Sequence, residues 1–224
     1  MAIPLESLSK DSVHGPGLLP ADAGADAIAR LAARDMNLVS WHRVLPAGLE
    51  AQLEQWAKDF PAKFDEVLSM PHGDLSECTH GLAEPARSWL MSDVAALTAR
   101  LAKLADARRL RVSLGAVRTD QCRKFHFDFV RYRMITTYVG PGTQWLPDEA
   151  VNREALEHPE NCPCDANKEI VRDADAIRHA IPGEVVLMKG ALHPHRLGAV
   201  HRSPPIEGTG LVRVVLIVST VDRS

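Results

Sequence analysis

The sequence has no excess of basic residues: 26 Lys and Arg stand against 29 Asp and Glu, a formal net charge of −3. That balance supplies no positive field for nucleic acid or an anionic membrane surface, so neither is an expected partner. No apolar run approaches the roughly 20 residues needed to cross a bilayer. The start MAIPLESLSKDS has neither the charged nor the apolar region of a secretory signal, so the cytoplasm is the expected address. A Gly-rich phosphate loop, a nucleophile-elbow serine and a catalytic Cys-His signature are all missing. Hydride transfer, phosphoryl transfer and serine hydrolysis fall away with them. Cysteine is scarce, and a chain of 224 residues can bury a core without disulfide staples. Cys78, Cys122, Cys162 and Cys164 therefore read as thiols. Cys162-Pro-Cys164 leaves one residue between its sulfurs where zinc pairs usually have at least two, so incidental loop cysteines are the expected reading.

What is present is an ordinary globular composition, 46% hydrophobic and 25% charged. Residues 1–20, with Gly15-Pro16-Gly17, show no hydrophobic period and read as an irregular lead-in. Residues 21–107 read as a helical elaboration. A helix is predicted over Asp22–Arg34. A second follows Pro46, with Leu49, Leu53, Trp56 and Phe60 on one face. The longest runs from about Glu84 to Ala107, with Trp89, Val94, Leu97, Leu101 and Leu104 as its apolar stripe. Short strands are expected at 37–43 and 64–70. The loop Pro71–Gly81 carries His72, Cys78 and His80, which read as a polar surface loop rather than a metal site.

From residue 108 onward the texture changes. Runs at 110–117, 125–128, 132–139, 184–188 and 211–218 are rich in β-branched and aromatic residues and separated by Gly and Pro turns. The polar stretch Asp148–Asp175 reads as a loop or short helix inserted among them. Helices first and sheet second make an α+β chain, with residues 108–224 as a β-rich core integrated with the helices.

The chemistry-bearing stretch is Cys122-Arg-Lys-Phe-His126-Phe-Asp128-Phe-Val-Arg131-Tyr-Arg133. In a strand, residues two apart share a face, so His126 and Asp128 project together while Phe125, Phe127 and Phe129 cover the other side. A histidine hydrogen-bonded to a carboxylate explains that pair as well as a metal does. His201, at a strand edge ahead of Arg202-Ser203-Pro204-Pro205, sharpens the metal reading. Two histidines and one carboxylate on one face of an ion leave the opposite face open, as non-haem Fe(II) chemistry requires. His193 and His195 compete with His201, but their Gly- and Pro-flanked loop is a poor place for a preorganised ligand. Arg213 is the only charge in the apolar strand 211–217. It faces solvent, pairs with a protein carboxylate, or meets a bound dicarboxylic acid; Arg133 poses the same question.

His126-x-Asp128, a distal His201 and Arg213 in the next strand resemble the signature of Fe(II)/2-oxoglutarate-dependent oxygenases. Arg133-Met-Ile-Thr-Thr-Tyr138 followed by Gly140-Pro-Gly-Thr143-x-Trp145 is similar to the strand and glycine turn of prolyl-hydroxylase-like members. The run Phe-His-x-Asp, the segment Thr-Tyr-x-Gly-Pro-Gly-Thr-x-Trp-Leu-Pro and the ending Lys189-Gly…His201-Arg-Ser-Pro look like the DUF1826 family, over roughly Cys122 to Ser219. The resemblance implies a double-stranded β-helix, jelly-roll or cupin-like; the apolar stripes of the N-terminal helices lead to the expectation that they pack on it. It implies iron on His126, Asp128 and His201, and 2-oxoglutarate held by Arg213 with Arg133 and Tyr138 as further cofactor-binding residues. The substrate would be a small molecule or a protein side chain. The family resemblance also carries an association with zinc-responsive genes. It therefore implies an alternative, a non-catalytic zinc-binding protein of zinc homeostasis on the same fold, with Cys122 as an added ligand. A metal-free cupin-like binder is the third reading.

Overall fold

A computed structural model describes residues 24–59, 63–71, 73–157, 162–195 and 198–221. The predicted lead-in and residues Asp22, Phe60 and His72 lie outside the described residues. Four α-helices are described: α1 (Ala25–Arg30), α2 (Leu49–Asp59), α3 (Ala86–Ala105) and α4 (Pro163–Ile170). The strands are β1 (Leu38–Trp41), β2 (Phe64–Ser69), β3 (Arg109–Val117), β4 (Tyr132–Val139), β5 (Gln144–Leu146), β6 (Arg178–His179), β7 (Val185–Lys189), β8 (Val200–Arg202) and β9 (Arg213–Thr220). The result is a mixed α and β fold whose sheets are antiparallel, with strand orders β1-β7-β4-β9-β3-β2 and β6-β5-β8.

Period-2 alternation splits the large sheet into two differently employed faces. On β4, Met134 and Tyr138 join a core with Val214, Leu216 and Val218 of β9. Leu49, Leu53 and Trp56 of α2 and Leu90, Val94, Leu97 and Leu101 of α3 belong to the same cluster. The helical spacing read from the sequence is what aims these side chains at one surface. The helix α3 ends at Asp106, which takes a left-handed conformation at φ 46. The opposite face of the large sheet carries Ile135, Val186, Met188 and Val215, packed with Ala180, Ala199 and the half-buried Trp145 of the region around the small sheet.

Two readings need correction. Residues 125–128 do not form a strand: a single reciprocal bridge links His126 to His201, with N–H···O distances of 3.0 and 2.9 Å. Asn167 Oδ1 of α4 instead takes the Phe125 N–H at 2.8 Å, so a side chain completes what a ladder would have done. Nor do the three phenylalanines share one buried side: Phe125 is buried, whereas Phe129 is 76% exposed and pairs with Phe127 at 5.7 Å between centroids. The three-residue strands β5 and β8 and the two-residue β6 are too short to leave a period in the sequence.

Candidate metal centre

His126 lies on the segment bridged to β8, His201 is the middle residue of β8, and Asp128 follows two positions after His126. One ligand atom from each lies within 4.8 Å of the others, the one such group of three or more among the described residues. His126 Nδ1 is 2.9 Å from the Lys124 carbonyl oxygen and His201 Nδ1 is 3.2 Å from that of Ala199. A carbonyl only accepts, so both Nδ1 atoms carry the hydrogen and both Nε2 atoms are left as the potential ligands. They face Asp128: His126 Nε2 is 3.6 Å from Oδ1 and His201 Nε2 is 3.2 Å from Oδ2.

Arg133, on the site-facing side of β4, donates from Nη1 to Asp128 Oδ1 at 2.7 Å and from Nε to Ser219 Oγ at 3.0 Å. Oδ2 remains buried with no hydrogen bond of acceptable geometry. A carboxylate that two imidazole Nε2 atoms face, with one buried oxygen lacking a hydrogen bond, suits a cation, and this donor set fits a divalent transition metal. Burial works against ionisation of Asp128, but His126, His201 and Arg133 hold its carboxyl well below the usual carboxylate range. Burial likewise opposes charge on His126, yet the Asp128 carboxylate, the Cys122 thiol and the Lys124 carbonyl around it outweigh that and raise its pKa to about 10.

The raised pKa favours a proton on His126 when no metal is bound, and a metal must displace it. The sign follows: a raised imidazole pKa makes metal affinity rise with pH. Below a pKa of about 10 each pH unit should change the affinity about tenfold, with one proton released per ion. Calorimetric Co(II) titration at several pH values, in buffers of different ionisation enthalpy, measures both; a pH-independent affinity contradicts the expectation.

The cavity beside the triad is lined by Gln121, Cys122, Arg133, Ile135, Thr143 and Arg202, and reaches Arg213 and Val215 on β9. Its volume is about 50 Å³, room for an ion and a few small ligand atoms. Arg213 is 2% exposed and donates from Nε to the Pro141 carbonyl at 2.7 Å and from Nη2 towards Thr137 Oγ1 at 3.4 Å. No carboxylate among the described residues pairs with it, and burial pushes its pKa down to about 10.

The sequence-predicted residues therefore separate. His126, His201, Arg133 and Arg213 line one cavity, and Asp128 sits against the two histidines and Arg133. Tyr138 is turned to the helices, donating its hydroxyl to Asp93 Oδ2 at 2.7 Å, because an even step along β4 from Tyr132 puts it on the face away from the triad. Cys122 lines the cavity, and its hydrogen bond to His126 lowers its thiol pKa against the effect of burial. Cys78 is buried, which pushes its thiol up to about 11, and the His80 carbonyl accepts from Trp56 Nε1 at 2.8 Å. Cys162 and Cys164 are exposed at the start of α4. Sequence reasoning missed Ser219, the support of Arg133. Its signal was the step of two along Arg213, Val215, Ile217 and Ser219, which puts all four on one face.

Antiparallel sheets carrying a two-histidine, one-carboxylate ligand set define a candidate metal-binding protein. The chain belongs to the family described as "Protein of unknown function (DUF1826)", which matches residues 22–219. No functionally curated protein matches it. Among solved structures it is similar to a Pseudomonas putida prolyl-4-hydroxylase, at 13% identity, TM-score 0.46, covering 89% of this chain and 99% of that one. It is also similar to a full-length Neurospora crassa protein solved in complex with alpha-KG, at 13% identity, TM-score 0.46, with 87% and 77% covered. A third is the Arabidopsis thaliana dioxygenase for auxin oxidation, at 9% identity, TM-score 0.44, with 89% and 77% covered. No helix among the described residues is long and apolar enough to cross a membrane.

Proposed function

We propose that this chain is an Fe(II)- and 2-oxoglutarate-dependent oxygenase on a double-stranded β-helix, acting on a small molecule or a protein side chain. One observation carries the reading. An open ligand set of two histidines and a carboxylate shares a cavity with a buried guanidinium that no carboxylate of the described residues neutralises. His126, Asp128 and His201 would hold the iron, and bound iron would supply the redox chemistry that couples decarboxylation of 2-oxoglutarate to substrate hydroxylation. Arg213 would hold the far carboxylate, where desolvation strengthens a charge-assisted pair. Ile135, Val215 and Ile217 line the wall between and exclude water. A diacid the size of 2-oxoglutarate exceeds the present cavity, so its binding would require lining side chains to move.

The test is an anaerobic titration of the Fe(II)-loaded protein with 2-oxoglutarate, followed by visible absorbance. A charge-transfer band that needs both components is expected. Arg213→Ala should keep the metal but weaken 2-oxoglutarate by about 2 kcal/mol or more, roughly thirtyfold. Equal affinity in variant and wild type removes Arg213 from that role.

A second reading, a zinc-binding protein linked to zinc homeostasis, is favoured by the Cys122 thiol beside His126. Turned inward, its sulfur would add a fourth ligand and close the site. Large zinc loss in Cys122→Ser, with no 2-oxoglutarate turnover in the wild type, selects this reading; unchanged metal content selects the first.

A further inference from the structure

The turn that follows β7 contributes none of the three candidate ligands, yet it touches the segment that carries Asp128. Ala191 N–H donates to the carbonyl of Asp128 at 2.8 Å, and Gly190 and Leu192 donate to the carbonyls of Arg131 and Val130 at 3.1 and 3.2 Å. Lys189, just before the turn, accepts at its carbonyl from Ala199 N–H at 2.9 Å, and the Ala199 carbonyl is the group that orients His201. Glycine permits close backbone approach at positions 190 and 198. A Cβ on Gly190 would collide with the Val130 carbonyl and lie 2.7 Å from that of Asp128. One on Gly198 would lie 2.8 Å from Cβ of Phe127.

Inside the turn runs a satisfied polar chain. His195 N–H donates to His193 Nδ1 at 3.2 Å, so the remaining hydrogen of a neutral His193 is on Nε2, 3.0 Å from the Tyr132 hydroxyl. The buried Lys189 Nζ donates to the Ala33 carbonyl at 2.7 Å and to His195 Nδ1 at 3.2 Å. Each member fixes its neighbour's rotamer, and the chain ends on α1's exit and on β4. With both Nδ1 atoms accepting these hydrogen bonds, the histidine pair is held for structure rather than offered to a metal.

We infer that the Gly190–His195 turn is a clamp that sets the separation of Asp128 from His201, with Gly190, His193 and Tyr132 as its positioning residues. The inference rests on the metal-centre reading. A ligand set must be held to within about 0.5 Å to keep its affinity, and groups that orient ligands from outside the coordination shell are typically worth 10- to 100-fold in metal binding.

The experiment titrates the metal-free wild type and the variants Gly190→Ala, His193→Ala and Tyr132→Phe with Co(II), reading its visible spectrum, with circular dichroism as a fold control. Gly190→Ala and His193→Ala should weaken Co(II) at least tenfold and shift its absorption bands. Tyr132→Phe, which removes one bond of the chain, should fall between them and wild type. Leu192→Ala, half-exposed in the same turn, should match wild type. If Gly190→Ala does not fold, the His193 and Tyr132 variants decide. Folded variants that bind Co(II) within twofold of a wild type that binds it stoichiometrically overturn the clamp and leave the metal centre standing. A wild type that binds no Co(II) overturns both.

Discussion

Replacing His126, Asp128 or His201 by Ala should abolish stoichiometric metal while leaving the fold intact. The three supply the converging donor atoms, and Asp128 supplies the only negative charge among them. Loss of one donor from three should exceed the 10- to 100-fold that an outer-shell change costs. The fold should survive because the large apolar cluster lies on the other face of the sheet, between β4, β9 and the helices. Metal analysis of protein purified without chelators, with circular dichroism alongside, measures both. Full metal content in any of the three variants removes that residue from the site; full content in all three would falsify the centre.

The second large effect is expected in stability and far from the metal. Arg43 and Asp93 are ion-paired, with side chains only 2% and 1% exposed. Arg43 also donates from Nη2 to Thr136 Oγ1 at 3.0 Å and from Nε to the Gly183 carbonyl at 3.1 Å. Tyr138 completes the carboxylate's partners, and burial, together with the neighbouring Asp93 charge, raises its phenol pKa well above the ordinary value. This network joins α3 to β4 across the helical face of the sheet. Asp93→Ala leaves a guanidinium buried without its anion, which should cost about 3–5 kcal/mol. Replacing both partners, Arg43→Met with Asp93→Leu, should cost much less, because no charge is then stranded. Urea unfolding of the single and double variants tests this; a single variant within about 1 kcal/mol of wild type contradicts it. Co(II) affinity of folded Asp93→Ala should stay at the wild-type level, since the network and the triad lie on opposite faces.

Much of this molecule was legible as pattern. Leu49, Leu53 and Trp56, and Val94, Leu97 and Leu101, repeat at helical spacing and do line the core. The strands at 110–117 and 132–139 were readable because β-branched and aromatic residues are dense there and Gly and Pro bound them. His126 and Asp128 do come together, although through a single bridge to His201 and not through the strand alternation read from the sequence, and the Arg133 and Arg213 questions could be posed from charge in apolar surroundings. The short strands β5, β6 and β8 were not legible, since two or three residues carry no period. They are held by cross-strand partners distant in sequence, such as Trp145 with His201.

By itself, then, the sequence determined the helical faces, the long strands and the residue types of a candidate metal site, because each is a local property of spacing or residue chemistry. Tertiary structure alone decided that His201 lies beside His126, since their bridge closes 75 positions of chain through two backbone hydrogen bonds. It decided that Arg133 goes to Asp128 and Ser219, that Arg213 meets no carboxylate among the described residues, and that Tyr138 turns to Asp93. Strand alternation offers two faces, but only the packing of helices on one of them fixes which side chains are left to face the site.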